Sequence, residues 1–212
     1  MNFSRTERAA LCALLGAKGP QAPTLCEGWA TRDLAAHLVL REHRPDAAVG
    51  ILGGPLAGYT ARVQDKIARQ HDYPDLVDMI RRGPPAASFF AIPGVDERAN
   101  TVEYYVHHED VRRAAPGWEP RSLDPAMADA LWRRLGMARL LLRKAPCGVV
   151  LRREDAPDAE PITAKRGTPT VTVTGLPGEL TMWALGRTSA ARLRLDGEAG
   201  ALTRLGQFHW RL

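Results

Sequence analysis

The hydrophobic pattern of this chain changes period near residue 145, and that change limits the folds open to it. Before that point apolar residues recur at helical spacing, as in Ala9, Leu11, Cys12 and Leu15. Beyond it come short, β-branched, turn-bounded segments at Cys147–Arg152, Pro161–Lys165 and Thr170–Thr174, then the strict alternation of Ala191–Leu195. The expected class is therefore α plus α+β: a helical bundle over 1–145 and a smaller C-terminal α+β domain over 146–212.

Local signals set the elements within each part. Ser4, with Glu7 three residues on, has the capping-box spacing for a helix from Arg5 to about Gly16. Lys18 to Gly28 reads as a loop, with Thr31 as the N-cap of a second helix over Arg32–Arg44 that ends before Pro45. Gly50–Gly58 is expected as loop, Tyr59–Arg69 as a third helix, and Pro74 as the start of a short one ending near Gly83. Ser88–Gly94 is expected to be irregular. Longer helices follow over Asp96–Ala115 and, after the Asp124-Pro125 cap, to about Lys144. In the second part a helix runs from Gly178 to about Leu185, Asp196-Gly197 is a turn, and Glu198–Leu205 is a last helix.

Composition narrows the class further. The 212 residues are 45% hydrophobic and 25% charged, which suits a packed core, with sparse aromatics at 6%. A net charge of +5 and a pI near 9.4 raise the question of nucleic acid. The basic residues are almost all Arg, spread along the chain and mixed with Asp and Glu, with no basic run carrying interleaved aromatics, so no nucleic-acid partner is expected. Cys12, Cys26 and Cys147 show no disulfide or CxxC spacing, the reading of reduced thiols in a cytoplasmic protein. No apolar h-region opens the chain and no stretch approaches 18 apolar residues, so neither a signal peptide nor a membrane span is expected.

The chemistry concentrates in Glu103-Tyr-Tyr-Val-His107-His108-Glu109-Asp110. On a helix, residues four apart lie one above the other, so Glu103 and His107 point at a common spot and Asp110 lies near the same face. His108 points about 100° away. A carboxylate and an imidazole one turn apart can bind a divalent ion, and His37, in Asp33-Leu34-Ala35-Ala36-His37-Leu38, is the candidate third ligand. Blander readings stand beside each. His37 suits a hydrogen-bonded core histidine, Glu103 and His107 a helical contact worth about 0.3 kcal/mol, and Asp110 an ion pair with Arg113.

Gly28-Trp29-Ala30-Thr31-Arg32-Asp33-Leu34-Ala35-Ala36-His37-Leu38 resembles the helix start "GW-x-x-[RK]-D-L-x-x-H-[LI]" of the mycothiol-dependent maleylpyruvate isomerase group, within the DinB-like four-helix-bundle superfamily. Glu103-x-x-x-His107-x-x-Asp110 resembles the group's "E-x-x-x-H-x-x-D" segment. Val171–Arg187, followed by Leu193–Gly197, is similar to its α+β C-terminal domain, so the resemblance spans nearly the whole chain. These motifs are specific for the superfamily's metal site rather than for any one reaction. The resemblance implies a DinB-like four-helix bundle holding a divalent metal, most often zinc, on His37, Glu103 and His107. It further implies an open position for water or the thiolate of a low-molecular-weight thiol, with Asp110 behind the ligands. The expected function is thus a metal-dependent transferase or isomerase using mycothiol on a small electrophile. The alternative is a non-catalytic metal-binding protein with a stress or sensor role. The expected partners are the thiol and the electrophilic substrate, with no membrane; a homodimer is allowed.

Several further residues carry two readings. Arg41, one turn beyond His37, suits a substrate carboxylate or, more simply, an ion pair. Cys26 suits a thiol near the metal, even a fourth ligand, or a small buried residue in a loop. Trp29 reads as a packing anchor, with a secondary part at the pocket rim. Arg187 ends a helix where the dipole favours a cation, with a substrate carboxylate as the second reading. His43, His71 and His209 have no partner spacing and are assigned to surfaces.

Overall fold

A computed structural model describes residues 2–51, 53–85, 88 and 95–208. The stretch 89–94, expected to be irregular, and His209 lie outside them. The chain divides into two compact units, Met1–Glu119 and Pro120–Leu212. The architecture is an α-rich bundle followed by a smaller α+β unit, as the change of pattern indicates.

The first unit contains α1 (Phe3–Lys18), α2 (Thr31–His43), the short α3 (Pro45–Ala48), α4 (Ala57–Gln70), α5 (Tyr73–Arg82) and α6 (Val95–Arg112). Helix α1 packs on α5 and α6, and α2 packs on α4 and α5. The core includes Leu11, Leu15, Leu34, Leu38, Leu76 and Ile80. The first helix begins earlier than the Ser4–Glu7 capping box implies. Asn2 is the N-cap and its side chain accepts from the Arg5 amide, while Ser4 is buried and Glu7 turns inward to His108 at 2.9 Å. Thr31 likewise lies inside α2, and its hydroxyl donates to the Gly19 carbonyl. The Asp33 carboxylate closes the helix start by accepting from the Ala30 amide at 2.9 Å. The orphan amides of the first turn are satisfied in α1 by the side chains of Asn2 and Glu97, and in α2 by the loop carbonyls of Ala22 and Pro20, which accept from the Thr31 and Arg32 amides.

Helix α6 is buried almost all round. Tyr104, Tyr105, Val106 and Val111 sit among buried charged residues. Buried charges need partners, and these have them: His108 with Glu7 at 2.9 Å, and Glu109 with Arg113 at 2.5 Å and Arg112 at 3.0 Å.

The second unit starts earlier than residue 145. It contains α7 (Pro125–Arg134), a 3₁₀ turn at Leu135–Met137, α8 (Ala138–Leu141), β1 (Gly148–Arg153), β2 (Ile162–Lys165), β3 (Thr170–Gly175), α9 (Pro177–Ala184), a 3₁₀ turn at Thr188–Ala190, β4 (Arg194–Asp196) and α10 (Ala199–Gly206). Helix α7 packs on α9. Arg153 of β1 reaches it with a 2.7 Å ion pair to Asp129 and lies over the Trp132 ring. This helix has the period of the bundle helices, but its apolar face is covered by the α+β unit. Composition alone cannot register that choice. The expected continuous helix to Lys144 is interrupted at Gly136, a poor helix former, and Leu135, Ala138 and Leu142 turn into the second core.

The sheet order is β2-β1-β3-β4, with β1 and β3 parallel and both outer pairs antiparallel. Val149 and Leu151 of β1 and Val171 and Val173 of β3 are buried while Val150, Arg152, Thr172 and Thr174 are less so, the alternation of a half-covered sheet. The fourth strand is shorter than Ala191–Leu195 and displaced toward the C-terminus. It pairs through Asp196, which was expected in a turn, and all three of its residues are exposed. None of the described helices is long and apolar enough to cross a membrane.

Candidate metal centre

The local fold brings His37, Glu103 and His107 to one point. Their ligand atoms all lie within 4.8 Å of one another. His37 comes from the middle of α2, and Glu103 and His107 from successive turns of α6. Glu103 Oε1 lies 3.5 Å from His37 Nε2 and 3.2 Å from His107 Nε2. Bonds of about 2.1 Å from a tetrahedral ion would set neighbouring ligand atoms about 3.4 Å apart. The separations on either side of Glu103 match that spacing. The rings of His37 and His107 meet edge to face at 5.3 Å. Side-chain exposure is 8% at His37 and 10% at His107 but 24% at Glu103, so the carboxylate side is the more open.

Asp110 lies behind the ligands. Its Oδ2 is 2.9 Å from His107 Nδ1, and the residue is fully buried. A proton on Nδ1 donated to Asp110 leaves the Nε2 lone pair aimed at Glu103 and His37, the usual support of a ligating histidine. The ion pair described for Arg113 is with Glu109 rather than Asp110. Its guanidinium lies over the Trp118 ring at 4.6 Å.

Arg41 forms an ion pair with Glu103, Nε to Oε1 3.3 Å, and also donates to Asn100 Oδ1. Asn100 Nδ2 in turn donates to Glu42 Oε1 at 3.1 Å, which also receives Arg8 Nη2 at 2.6 Å and the Tyr104 hydroxyl at 2.7 Å. A buried polar network thus runs from α1 through α2 and α6 to the carboxylate of the site. Glu42 and Asn100 are its hidden members. Neither has a motif spacing, and Glu42, flanked by Arg41 and His43, carries no local signal of burial.

The electrostatics favour a positive charge here. Burial holds His37 below its ordinary pKa, so its imidazole stays neutral. Burial would raise Glu103, but Arg41 and hydrogen bonds from His107 and His37 outweigh it and hold the carboxyl well below the usual range. Burial would lower His107, yet its contacts with Asp110, Cys26 and Glu103 hold it well above the usual range. The donor set is therefore suited to a cation. Two imidazoles and a carboxylate converge, with a carboxylate behind them, and a proton on His107 supplies positive charge between Glu103 and Asp110.

The loop before α2 shapes the rim. Trp29 packs against His37 with ring centroids 5.1 Å apart. Cys26 reaches the site, its Sγ 3.3 Å from Asp110 Oδ2. Arg187 donates to the Leu185 carbonyl at 2.7 Å, near the end of α9. His71 and His43 are both part-exposed, but the Nε2 of His43 is buried without a hydrogen-bond partner among the described residues, and burial lowers its pKa.

Fold and donor set together define a helical-bundle protein with a three-residue His/Glu/His cluster and an attached α+β unit. Two crystal structures of a mycothiol-dependent maleylpyruvate isomerase have the same fold. One matches at 16% identity and a TM-score of 0.53, and a histidine-to-alanine variant at 14% and 0.55. Each alignment covers 93% of this chain and 92% of the other, so the likeness extends through both units. No family model matches the sequence, and no curated protein matches it.

Proposed function

We propose that this protein is a divalent-metal enzyme, with zinc as the metal and mycothiol as the thiol cofactor, carrying out isomerase or transferase chemistry on a small electrophile. The observation that carries this reading is the convergence of His37, Glu103 and His107 with Asp110 behind His107, on a fold shared with a mycothiol-dependent isomerase. His37, Glu103 and His107 would hold the ion, leaving a position open as catalytic zinc sites do. When bound, the ion would lower the pKa of a coordinated thiol and make it a nucleophile at neutral pH.

This chain's residues do the rest. Asp110 keeps His107 in the ligating tautomer, and Arg41 orients Glu103. The pocket's charge argues for an anionic fourth ligand. With both imidazoles neutral, as ligands must be, the carboxylates of Glu103 and Asp110 against the guanidinium of Arg41 leave one negative charge. A divalent ion turns that into one positive charge, which a thiolate cancels. Trp29 covers His37 and limits water on that side.

The test is metal analysis of the purified protein beside His37→Ala and Glu103→Ala. Mycothiol titration and loss of free thiol are then followed with a panel of electrophiles that includes maleylpyruvate. Stoichiometric zinc in the wild type alone, with zinc-dependent thiol binding and turnover, is the expected result. Zinc without thiol binding or turnover would point to the non-catalytic alternative, and equal absence of zinc from all three proteins would end the metal reading.

A further inference from the structure

Cys26 lies where a loop residue with no role in the donor set need not be. The loop is tightly set. Trp29 N donates to the Cys26 carbonyl at 3.0 Å across a turn whose third residue, Gly28, has φ 76°, a conformation that favours glycine. The Thr24 hydroxyl donates to the Trp29 carbonyl at 2.9 Å and accepts from the Cys26 amide at 3.2 Å. The loop is tied to α6 by Leu25 N, which donates to the Asp110 carbonyl at 3.0 Å. These contacts aim the Cys26 thiol at Asp110 Oδ2, 3.3 Å away. That same oxygen lies 2.9 Å from His107 Nδ1. Cys26 Sγ, Asp110 and His107 offer ligand atoms within 4.8 Å of one another.

Asp110 Oδ2 therefore meets two groups able to donate, one from the ligand histidine and one from the loop. The rotation of a carboxylate about its last bond is set by the groups that meet it. A thiol fixed by the loop backbone favours the rotation that keeps Oδ2 toward His107. We propose that Cys26 is a positioning residue of the metal centre, acting through Asp110 on the tautomer and direction of His107. The proposal rests on the metal reading above. It is distinct from a ligand role, because the thiol meets the Asp110 oxygen that faces His107 Nδ1, while the Glu103 oxygen that faces His107 Nε2 is the one that meets His37.

Partners behind a ligand typically change metal affinity by about 10–100-fold, and a thiol is a weak donor. Cys26→Ala is therefore expected to weaken zinc binding by roughly 10-fold, the lower end of that range. The measurement is zinc competition against a chromophoric chelator for wild type, Cys26→Ala, Cys26→Ser, Asp110→Asn and the Cys26→Ala/Asp110→Asn pair, with melting of each metal-free protein alongside. Serine keeps a donor and is expected to stay within about 3-fold of wild type, a smaller loss than alanine. In the Asp110→Asn background the alanine change should cost less than it does in the wild type. Cys26 also packs against the bundle core, and a purely packing role predicts the reverse order: alanine tolerated, serine worse, and the metal-free melting point tracking the loss. That order, or a Cys26→Ala protein that binds zinc as wild type does, overturns the proposal and leaves the metal reading standing. A wild type that binds no zinc ends both.

Discussion

Replacing Glu42 with Gln removes one charge and almost no volume, which isolates the electrostatics of the network behind the site. Glu42 is 2% exposed and accepts Arg8, Tyr104 and Asn100 on the same oxygen, at 2.6, 2.7 and 3.1 Å. The Arg8 side chain is 10% exposed. Exposed ion pairs contribute about 0–1 kcal/mol, but these groups are shielded, and removing one partner of a buried pair costs about 3–5 kcal/mol because the other charge stays behind. Against a total stability of about 5–15 kcal/mol that is a large fraction. For a unit of this size it corresponds to a fall in Tm of roughly 10–20 °C. Calorimetric melts at pH 7 would read it. The triple change Arg8→Met, Glu42→Leu and Tyr104→Phe, which removes the stranded charge and the stranded hydroxyl together, should recover most of the loss. Because Asn100 links Glu42 to Arg41 and so to Glu103, Glu42→Gln should also weaken zinc binding. A Tm within 3 °C of wild type would refute the claim that Arg8 depends on Glu42 in a dry interior.

The remaining predictions concern the same unit and the thiols. Zinc at about 100 times its dissociation constant should stabilise the wild type by roughly 2.7 kcal/mol and raise its Tm, with no shift in His37→Ala or Glu103→Ala. Burial and the charge of Glu42 hold the Tyr104 phenol well above its ordinary value of 10.0. Below pH 10 the phenol is neutral folded or unfolded; above it only the unfolded phenol ionises, so this stability is lost as pH rises. Urea melts between pH 8 and 11 should show that loss, and Tyr104→Phe should flatten the slope. Burial pushes the Cys12 thiol up to about 11 and raises that of Cys147, while Cys26 is half-buried at the loop. Labelling of the native protein by a thiol reagent should show a single fast thiol that disappears in Cys26→Ser.

The helical spacing of Glu103, His107 and Asp110 was legible because it depends only on the 3.6-residue turn, which any helix supplies. The same holds for His37 behind the Gly28–Asp33 helix start, and for the strands of β1 and β3, whose alternation is local. Choices between partners within one helical turn were not legible. Asp110 and Glu109 both lie within one turn of Arg113, and only the placement of Trp118 beside Arg113, and of His107 beside Asp110, assigns Arg113 to Glu109. Nor could Asn2 be told from Ser4 as the cap of α1, because the choice turns on the inward pairing of Glu7 with His108 from the far end of the unit.

The amino-acid sequence by itself determined the helices, the change to a mixed sheet, and two site residues aligned on one helix face, since each follows from interactions within a few residues. Tertiary structure alone decided that α7 belongs with the sheet and that Arg41, Asn100 and Glu42 form one buried chain, and it set the distances at which His37 meets Glu103 and His107. It also decided that the Cys26 loop closes on Asp110. The physical reason is that apolar faces and buried charges specify only the kind of partner they need, while the identity of that partner emerges when distant segments pack and every buried charge must find its counterpart.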